Sequence, residues 1–204
     1  NPRHVYRTAG VLAGLGLSYG GATTEEDVVG LIFADQGIDL SKISGDIKIV
    51  SYLQGYGDTT TDEINAAIQA APEAFISVGM ATTFFTQQLN AAGIEFSDID
   101  SFTKSNGEAI TNGKLVYLAG KYSSSVGPAF ALVMNAINGN VIRDAQGNAV
   151  SLSQNYQVAT DSETFDKFYK NDNGDNPIYS RDTLDQIIGD TVTFDTINEV
   201  VASN

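Results

Sequence analysis

An α/β fold, arranged as a three-layer sandwich around a mostly parallel sheet, is predicted for this chain by three observations. Between residues 46 and 140, short runs of β-branched, aromatic and aliphatic residues alternate with stretches of helical periodicity. The intervening helical stretches are about a dozen residues long, the length of a right-handed crossover between parallel strands. Residues 113–140, GKLVYLAGKYSSSVGPAFALVMNAINGN, show the whole unit in one piece. A strand covered on both faces is predicted over 114–119, polar turn material over 120–125, and a helix from Ser125 onward. Val126, Phe130, Val133 and Ile137 recur there at helical spacing, with Pro128 in the first turn and Gly139 at the C-terminal end.

Taken in order, residues 3–19 predict a closely packed helix around Val11, Leu12 and Leu15. A second helix is predicted over 24–36, capped by Thr24, with Glu25, Glu26 and Asp27 at its positive end and Val28, Leu31 and Ile32 inward. Gly37 ends it, and 38–46 read as a loop. Residues 47–53 (IKIVSYL) predict a strand and 54–60 a Gly- and Thr-rich loop. Thr60 with Glu63 forms a capping box for a helix burying Ile64, Ala67, Ile68 and Ala71, which Pro72 stops. A strand over 74–78 follows, then a helix over 81–92 with Phe85, Leu89 and Ala92 inward and Gly93 as its cap. Residues 99–103 predict a shorter strand and 104–113 a polar loop. Beyond Asn140 the pattern changes. Two short strands flank the turn Asp144-Ala145-Gln146-Gly147, and 155–160 form a further extended run. Three short helices finish the chain: 163–170 behind a Thr160/Glu163 capping box, 181–188 capped by Ser180, and 194–202.

Composition bounds the chemistry. The 204 residues, 42% apolar and 18% charged, can bury a core, and 25 acidic against 11 basic residues give a net charge of -14. No cluster of Lys or Arg exists to neutralise phosphates, so no nucleic-acid partner is expected. Without cysteine there is no disulfide, thiolate metal site or cysteine nucleophile. Neither a membrane span nor a signal peptide is written in these residues; if the protein is exported, its export signal is expected to lie outside them.

Candidate catalytic and metal patterns read as structural. Gly16-Leu17-Ser18-Tyr19-Gly20 matches G-x-S-x-G, but a nucleophile elbow needs a strand before the serine, a helix after it and a histidine base, whereas His4, the one histidine, lies upstream. Asn171-Asp172-Asn173-Gly174-Asp175 resembles part of a calcium loop, yet alignment on its glycine puts Tyr169 and Ser180 where carboxylates belong, so a solvated turn is expected. Glu25/Glu26 and Asp98/Asp100 read as exposed charge and His4 as surface. Neither a phosphate-cradling loop nor a dinucleotide fingerprint is present. No catalytic residue, metal or cofactor is therefore expected. The loops at the carboxyl ends of the predicted strands remain: 54–58, 79–82, 104–106 and 121–124. They carry Tyr56, Lys104, Ser105, Asn106, Lys121 and Tyr122, an inventory of aromatic faces and donors suited to binding.

From Ile47 to about Val158 the chain resembles the C-terminal lobe of type 1 periplasmic binding proteins, the sugar-binding family related to ribose- and galactose-binding proteins and LacI-type effector domains. AAPEAFISV, NAAGI, Asn112-Gly113-Lys114-Leu115, Val126-Gly127 and Asn138-Gly139-Asn140 follow one another at family-like spacing, and Arg7-Thr8-Ala9-Gly10 looks like the family's R-x-x-G, whose Arg often contacts ligand. The resemblance implies the ligand-binding portion of an extracytoplasmic solute-binding protein of an ABC importer, with Arg7 added to the ligand-binding residues and a permease as partner. Membrane association would come only through a lipid anchor outside this chain. It also implies a domain order: residues 1–122 as the C-terminal lobe with a helical insertion at about 21–45, 123–158 crossing to the other lobe, and 159–204 a helical appendix, most of the first lobe being absent. The chain departs from the sugar binders at Val78-Gly79, where they carry Asn-Asp, at Ser105 or Asn106, where they carry Asp, and at Lys121, where Gln or Asn is usual. Lys104 and Lys121 would instead tolerate an anionic or modified ligand. A sensor or effector-binding domain of a regulator is the alternative, and a serine hydrolase using Ser18 a third reading.

Overall fold

The computed structural model describes residues 2–54, 61–120, 123–173 and 177–203. The chain is mixed α/β and falls into two compact units, Asn1–Ile99 and Asp100–Asn204. No helix among the described residues is long and apolar enough to cross a membrane.

The first unit begins with α1 (Pro2–Gly14), β1 (Ser18–Tyr19), α2 (Glu25–Ala34), a 3-10 turn at Leu40–Lys42 and β2 (Ile43–Ser44). β1 and β2 pair antiparallel, Tyr19 opposite Ile43. Ala9, Leu12, Leu17, Tyr19, Val28, Val29 and Ile32 form one buried cluster. Thr24 caps α2 as predicted, accepting from the Asp27 N–H at 3.3 Å. The left-handed residue ending α2 is Gln36 (φ 61), not Gly37, whose N–H instead returns to the Ile32 carbonyl. Tyr19 anchors the turn below: its hydroxyl donates to Asp35 Oδ2 at 2.7 Å and accepts from the Asp39 N–H at 3.0 Å, while Lys42 pairs with Asp35. Burial holds the Tyr19 phenol above its ordinary range, and the hydrogen bond from Lys42 holds Asp35 below its own.

Residues 47–53 are not a strand. They alternate, with Ile49, Ser51 and Leu53 half-buried between exposed neighbours, but no ladder is formed by them among the described residues. Periodicity alone does not make a strand without a partner backbone. Thr60, the predicted cap of the next helix, lies outside the described residues. That helix, α3 (Thr61–Gln69), buries Ile64, whereas Ala71 sits beyond its end, exposed, at φ 52. A Cβ in the left-handed region is strained by roughly 1 kcal/mol. Ala71→Gly is therefore expected to stabilise the chain by about 0.5–1 kcal/mol, read as a higher midpoint of urea unfolding.

β3 (Ala74–Ile76) pairs parallel with β4 (Glu95–Ile99), Phe75 opposite Phe96, as a crossover requires. The predicted helix between them is broken into α4 (Ala81–Phe84) and α5 (Thr86–Ala92) at Phe85, where the Thr86 hydroxyl donates to the Thr82 carbonyl at 2.7 Å. Phe85 and Leu89 are buried as predicted, but Ala92 is exposed on the last turn. β4 starts four residues before the predicted strand over 99–103, because Phe96 and Asp98 supply its inward alternation.

In the second unit, residues 104–113 are not a loop: α6 (Lys104–Thr111) occupies them, capped by Thr103, which accepts from the Asn106 N–H at 3.3 Å. Asn106, Ala109 and Ile110 share its buried face. β5 (Leu115–Gly120) pairs antiparallel with β6 (Gln157–Ala159). Leu115, Leu118, Ala119 and Gly120 are buried but Val116 and Tyr117 are exposed, so the strand is not covered on both faces. A 3-10 turn at Ser123–Val126 leads into α7 (Gly127–Ile137), Gly139 taking a positive φ of 94 after it. The helix faces the opposite way from its apolar spacing. Gly127, Pro128, Ala131 and Asn135 are buried, whereas Val126, Phe130, Val133 and Ile137 are exposed. Close approach decides the orientation: a Cβ on Gly127 would lie 2.9 Å from Tyr179 Cβ, and only a glycine face can meet that residue.

The predicted strands around Asp144–Gly147 reduce to a single bridge, Arg143 to Ala149, with the Asp144 carboxylate accepting from the N–H groups of Gln146 and Asn148. α8 (Ser162–Asn173) is capped by Asp161, not by Thr160: the Thr164 N–H donates to Asp161 Oδ1 at 2.8 Å. It absorbs the first three residues of the predicted Asn/Asp turn, the next of which lie outside the described residues. α9 (Arg181–Gln186) is capped by Ser180 as predicted and α10 (Phe194–Ala202) by Thr193. Ala131, Ile187, Ile197 and Val201 form the buried cluster among α7, α10 and the end of α9.

Candidate functional site

The best-built polar cluster stands at the carboxyl end of β3. α1 starts with proline at its first position, which its fixed φ favours, and places His4 and Arg7 one turn apart on one side. The Arg7 guanidinium donates from Nη1 to the Val78 carbonyl at 2.8 Å, directly after β3. Among the described residues Arg7 makes no other hydrogen bond, which leaves the rest of its five-donor fork for a ligand. Gly79 is fixed by this contact: a Cβ there would lie 3.3 Å from Arg7 Nη1 and 3.8 Å from His4 Cε1. His4 is half-buried, and burial first, then the charge of Arg7, hold its pKa below the ordinary imidazole value. At neutral pH its ring is uncharged beside the guanidinium.

The loop beneath is held by its own hydrogen bonds. The Gly79 N–H donates to Ser77 Oγ at 3.0 Å, and Met80 adopts a left-handed φ of 65 before α4. Asp98, on the adjacent strand, accepts from the Ala81 N–H at 2.6 Å and from the Ile99 N–H at 2.9 Å. It is buried, with 1% of its surface accessible, so the expectation of exposed charge fails for it. Its carboxylate satisfies the first amide of α4 and thereby sets the strained turn that carries Gly79 under Arg7.

The other sequence-expected residues lie in the second unit or outside the described residues. Lys104, Ser105 and Asn106 occupy the first turn of α6, not a loop. Lys104 is exposed, 3.9 Å from Glu108, and the exposed Ser105 hydroxyl is 3.0 Å from Thr103 Oγ1. Asn106 is fully buried, its amide donating to the Ser101 carbonyl at 2.8 Å and to Asp100 Oδ2 at 3.2 Å. That amide ties α6 to the segment before it, while its Oδ1 has no hydrogen-bond partner. Tyr56, Lys121 and Tyr122 lie outside the described residues.

A shallow groove of about 290 Å³ runs between α6 and α8, lined by Lys104, Gly107, Glu108, Thr111, Asn112, Phe165, Asp166 and Tyr169. It is near the lower limit of small-molecule sites. Gly107 exists for its floor, since a Cβ there would fall 2.5 Å from the Phe165 ring. No group of three or more His, Cys, Asp or Glu among the described residues can hold a metal.

Comparison with known proteins returned no matching family model, curated protein or solved structure. His4, Asp98 and Met80 are the parts of the cluster that sequence reasoning missed. Only the spacing of His4 three residues before Arg7 on a helix would have signalled any of them.

Proposed function

We propose that this chain is the ligand-binding portion of an extracytoplasmic solute-binding protein of an ABC importer, of the type 1 periplasmic-binding-protein kind, taking a sugar or sugar-like small molecule. On this reading the fold is a three-layer sandwich and the functional partner is a permease. The observation that carries it is the Arg7 fork held at the carboxyl end of a parallel strand pair, where open α/β sheets bind ligands. A guanidinium with open donors, a glycine-cleared space and a neutral imidazole beside it suit a hydroxyl- or carboxylate-bearing ligand. Tyr56, Lys104, Ser105, Lys121 and Tyr122 stay proposed as ligand-binding residues on the sequence alone.

Binding is favoured over hydrolysis by the setting of Ser18. It lies within β1, and its hydroxyl is 3.4 Å from the Ser44 carbonyl, to which it donates. A nucleophile's hydroxyl would donate to a base.

Isothermal titration against neutral sugars, sugar acids and sugar phosphates tests this reading. At least one class is expected to bind, and Arg7→Ala to weaken that binding about 10- to 100-fold, the effect of losing a hydrogen bond to a charged group. Circular dichroism would confirm that the variant keeps its fold. No binding by the wild-type chain to any class, or binding unchanged in Arg7→Ala, would remove the basis of the proposal.

A further inference from the structure

Arg7 narrows the class of ligand that the cluster at the end of β3 can take. Among the described residues its one hydrogen bond runs from Nη1 to the Val78 carbonyl, so the edge formed by Nε–H and Nη2 is left whole. Two parallel donors on one edge of a guanidinium match the two oxygens of a carboxylate, whereas a sugar hydroxyl engages a single donor. Gly79 leaves the guanidinium room, since a Cβ there would stand 3.3 Å from Nη1.

The elements around α1 do not supply that carboxylate. The chain has 25 acidic and 11 basic residues, yet no carboxylate among the described residues pairs with Arg7. The oxygens of Asp98 accept from the Ala81 and Ile99 amides. Glu25 sits further along α1, its Oε2 3.7 Å from the Cβ position of Gly10. A half-buried guanidinium without a counter-ion carries a desolvation cost that a bound anion offsets. The charge to be matched is single. His4 is uncharged at neutral pH, and Arg3, one turn earlier, is exposed, where water and salt screen it. One positive charge balances a carboxylate and leaves a phosphate dianion in excess, in a chain whose net charge of -14 repels further anionic charge.

We propose that the ligand read by Arg7 is a sugar acid, its carboxylate held side-on by Nε–H and Nη2 and its hydroxyl-bearing body over Gly79. The inference rests on the reading of this cluster as a ligand site and names the charge that the ligand carries.

Isothermal titration with matched sets, each a hexose or pentose with its uronate, its aldonate and its terminal phosphate, tests it. An acid is expected to bind at least about 100-fold more tightly than the neutral sugar of its set. Arg7→Lys keeps the charge and removes the paired edge, and should weaken the acid at least about 10-fold. Arg7→Ala should bring the acid down to the level of its neutral sugar. Arg7→Lys within about twofold of wild type overturns the inference, because charge alone then suffices. Asp58, in the stretch outside the described residues, is the rival anion. Asp58→Asn should not strengthen binding of the acid; a gain of about 10-fold or more would mean that Asp58 fills the fork in the free chain, and overturns the inference as well. A neutral sugar or a phosphate that binds as tightly as its acid overturns the inference and leaves the solute-binding reading standing, whereas binding by no member of any set removes both.

Discussion

Asn135→Ala is expected to lower the stability of the second unit by about 3 kcal/mol, since it leaves two buried backbone groups without partners. Asn135 is fully buried in α7; its amide donates to the Ile187 carbonyl at 2.8 Å and its oxygen accepts from the Gly189 N–H at 2.8 Å. A second amide, Asn140, donates to the carbonyls of Gly189 and Val192, so two asparagines bind α7 to the segment between α9 and α10. Asn135→Asp separates the two bonds. The carboxylate still accepts from Gly189 but sets a charged oxygen against the Ile187 carbonyl, which only the protonated form can satisfy. Its folded-state pKa is then raised, so stability should recover as the pH falls and the carboxyl is protonated. Urea unfolding across pH would show both effects. An alanine variant within about 0.5 kcal/mol of wild type would mean that water replaces the amide.

Gly120→Val is the second large expected loss, again about 3 kcal/mol, from overpacking beside an immovable backbone atom. Gly120 closes β5 opposite Gln157. A Cβ there would lie 2.7 Å from the Phe102 ring and 2.9 Å from the Asp100 carbonyl oxygen. Phe102 is itself packed against Phe165 and Phe168, with ring centroids 5.8 and 5.2 Å away, so it has no direction in which to yield. Gly113→Ala provides the contrast. Gly113 has φ 67 and open space around it, so only the backbone term of about 1 kcal/mol applies. Equal losses at the two positions, measured by chemical denaturation, would show that the clash at Gly120 is relieved by movement of β5.

What the sequence made legible is the short-range chemistry. Thr24 and Ser180 cap the helices they were expected to cap, because a side chain reaching an amide three residues on needs no tertiary knowledge. β5 was legible for the same reason, being a run of strand formers without a breaker. The misses share a different cause, which is that the partner was remote in sequence. Gly107 made KSNGEAITNG look like a loop, yet its role is to admit Phe165, and α6 forms around it. The apolar spacing of α7 identified a helix but not its buried face, which Gly127, Ala131 and Asn135 choose by close packing and buried hydrogen bonds. At the candidate site, Arg7 was singled out only by the resemblance, and its contact with the Val78 carbonyl could not be read from the sequence. Asp98 was not legible, because only the Ala81 amide above it distinguishes it from Asp100.

The pairing of β5 with β6 carries a cost in chain entropy. Leu118 and Ala159 become neighbours only after residues 121–156 have been closed into a loop, an entropic step that precedes any reward from the ladder. Within that loop α7, at 11 residues, is too short to be stable alone and depends on packing for its stability. Its ties to Ile187 and Gly189 are more remote still. The stability of the second unit therefore rests on long-range ties, the ladder and the two asparagines, that must repay the closing of these loops.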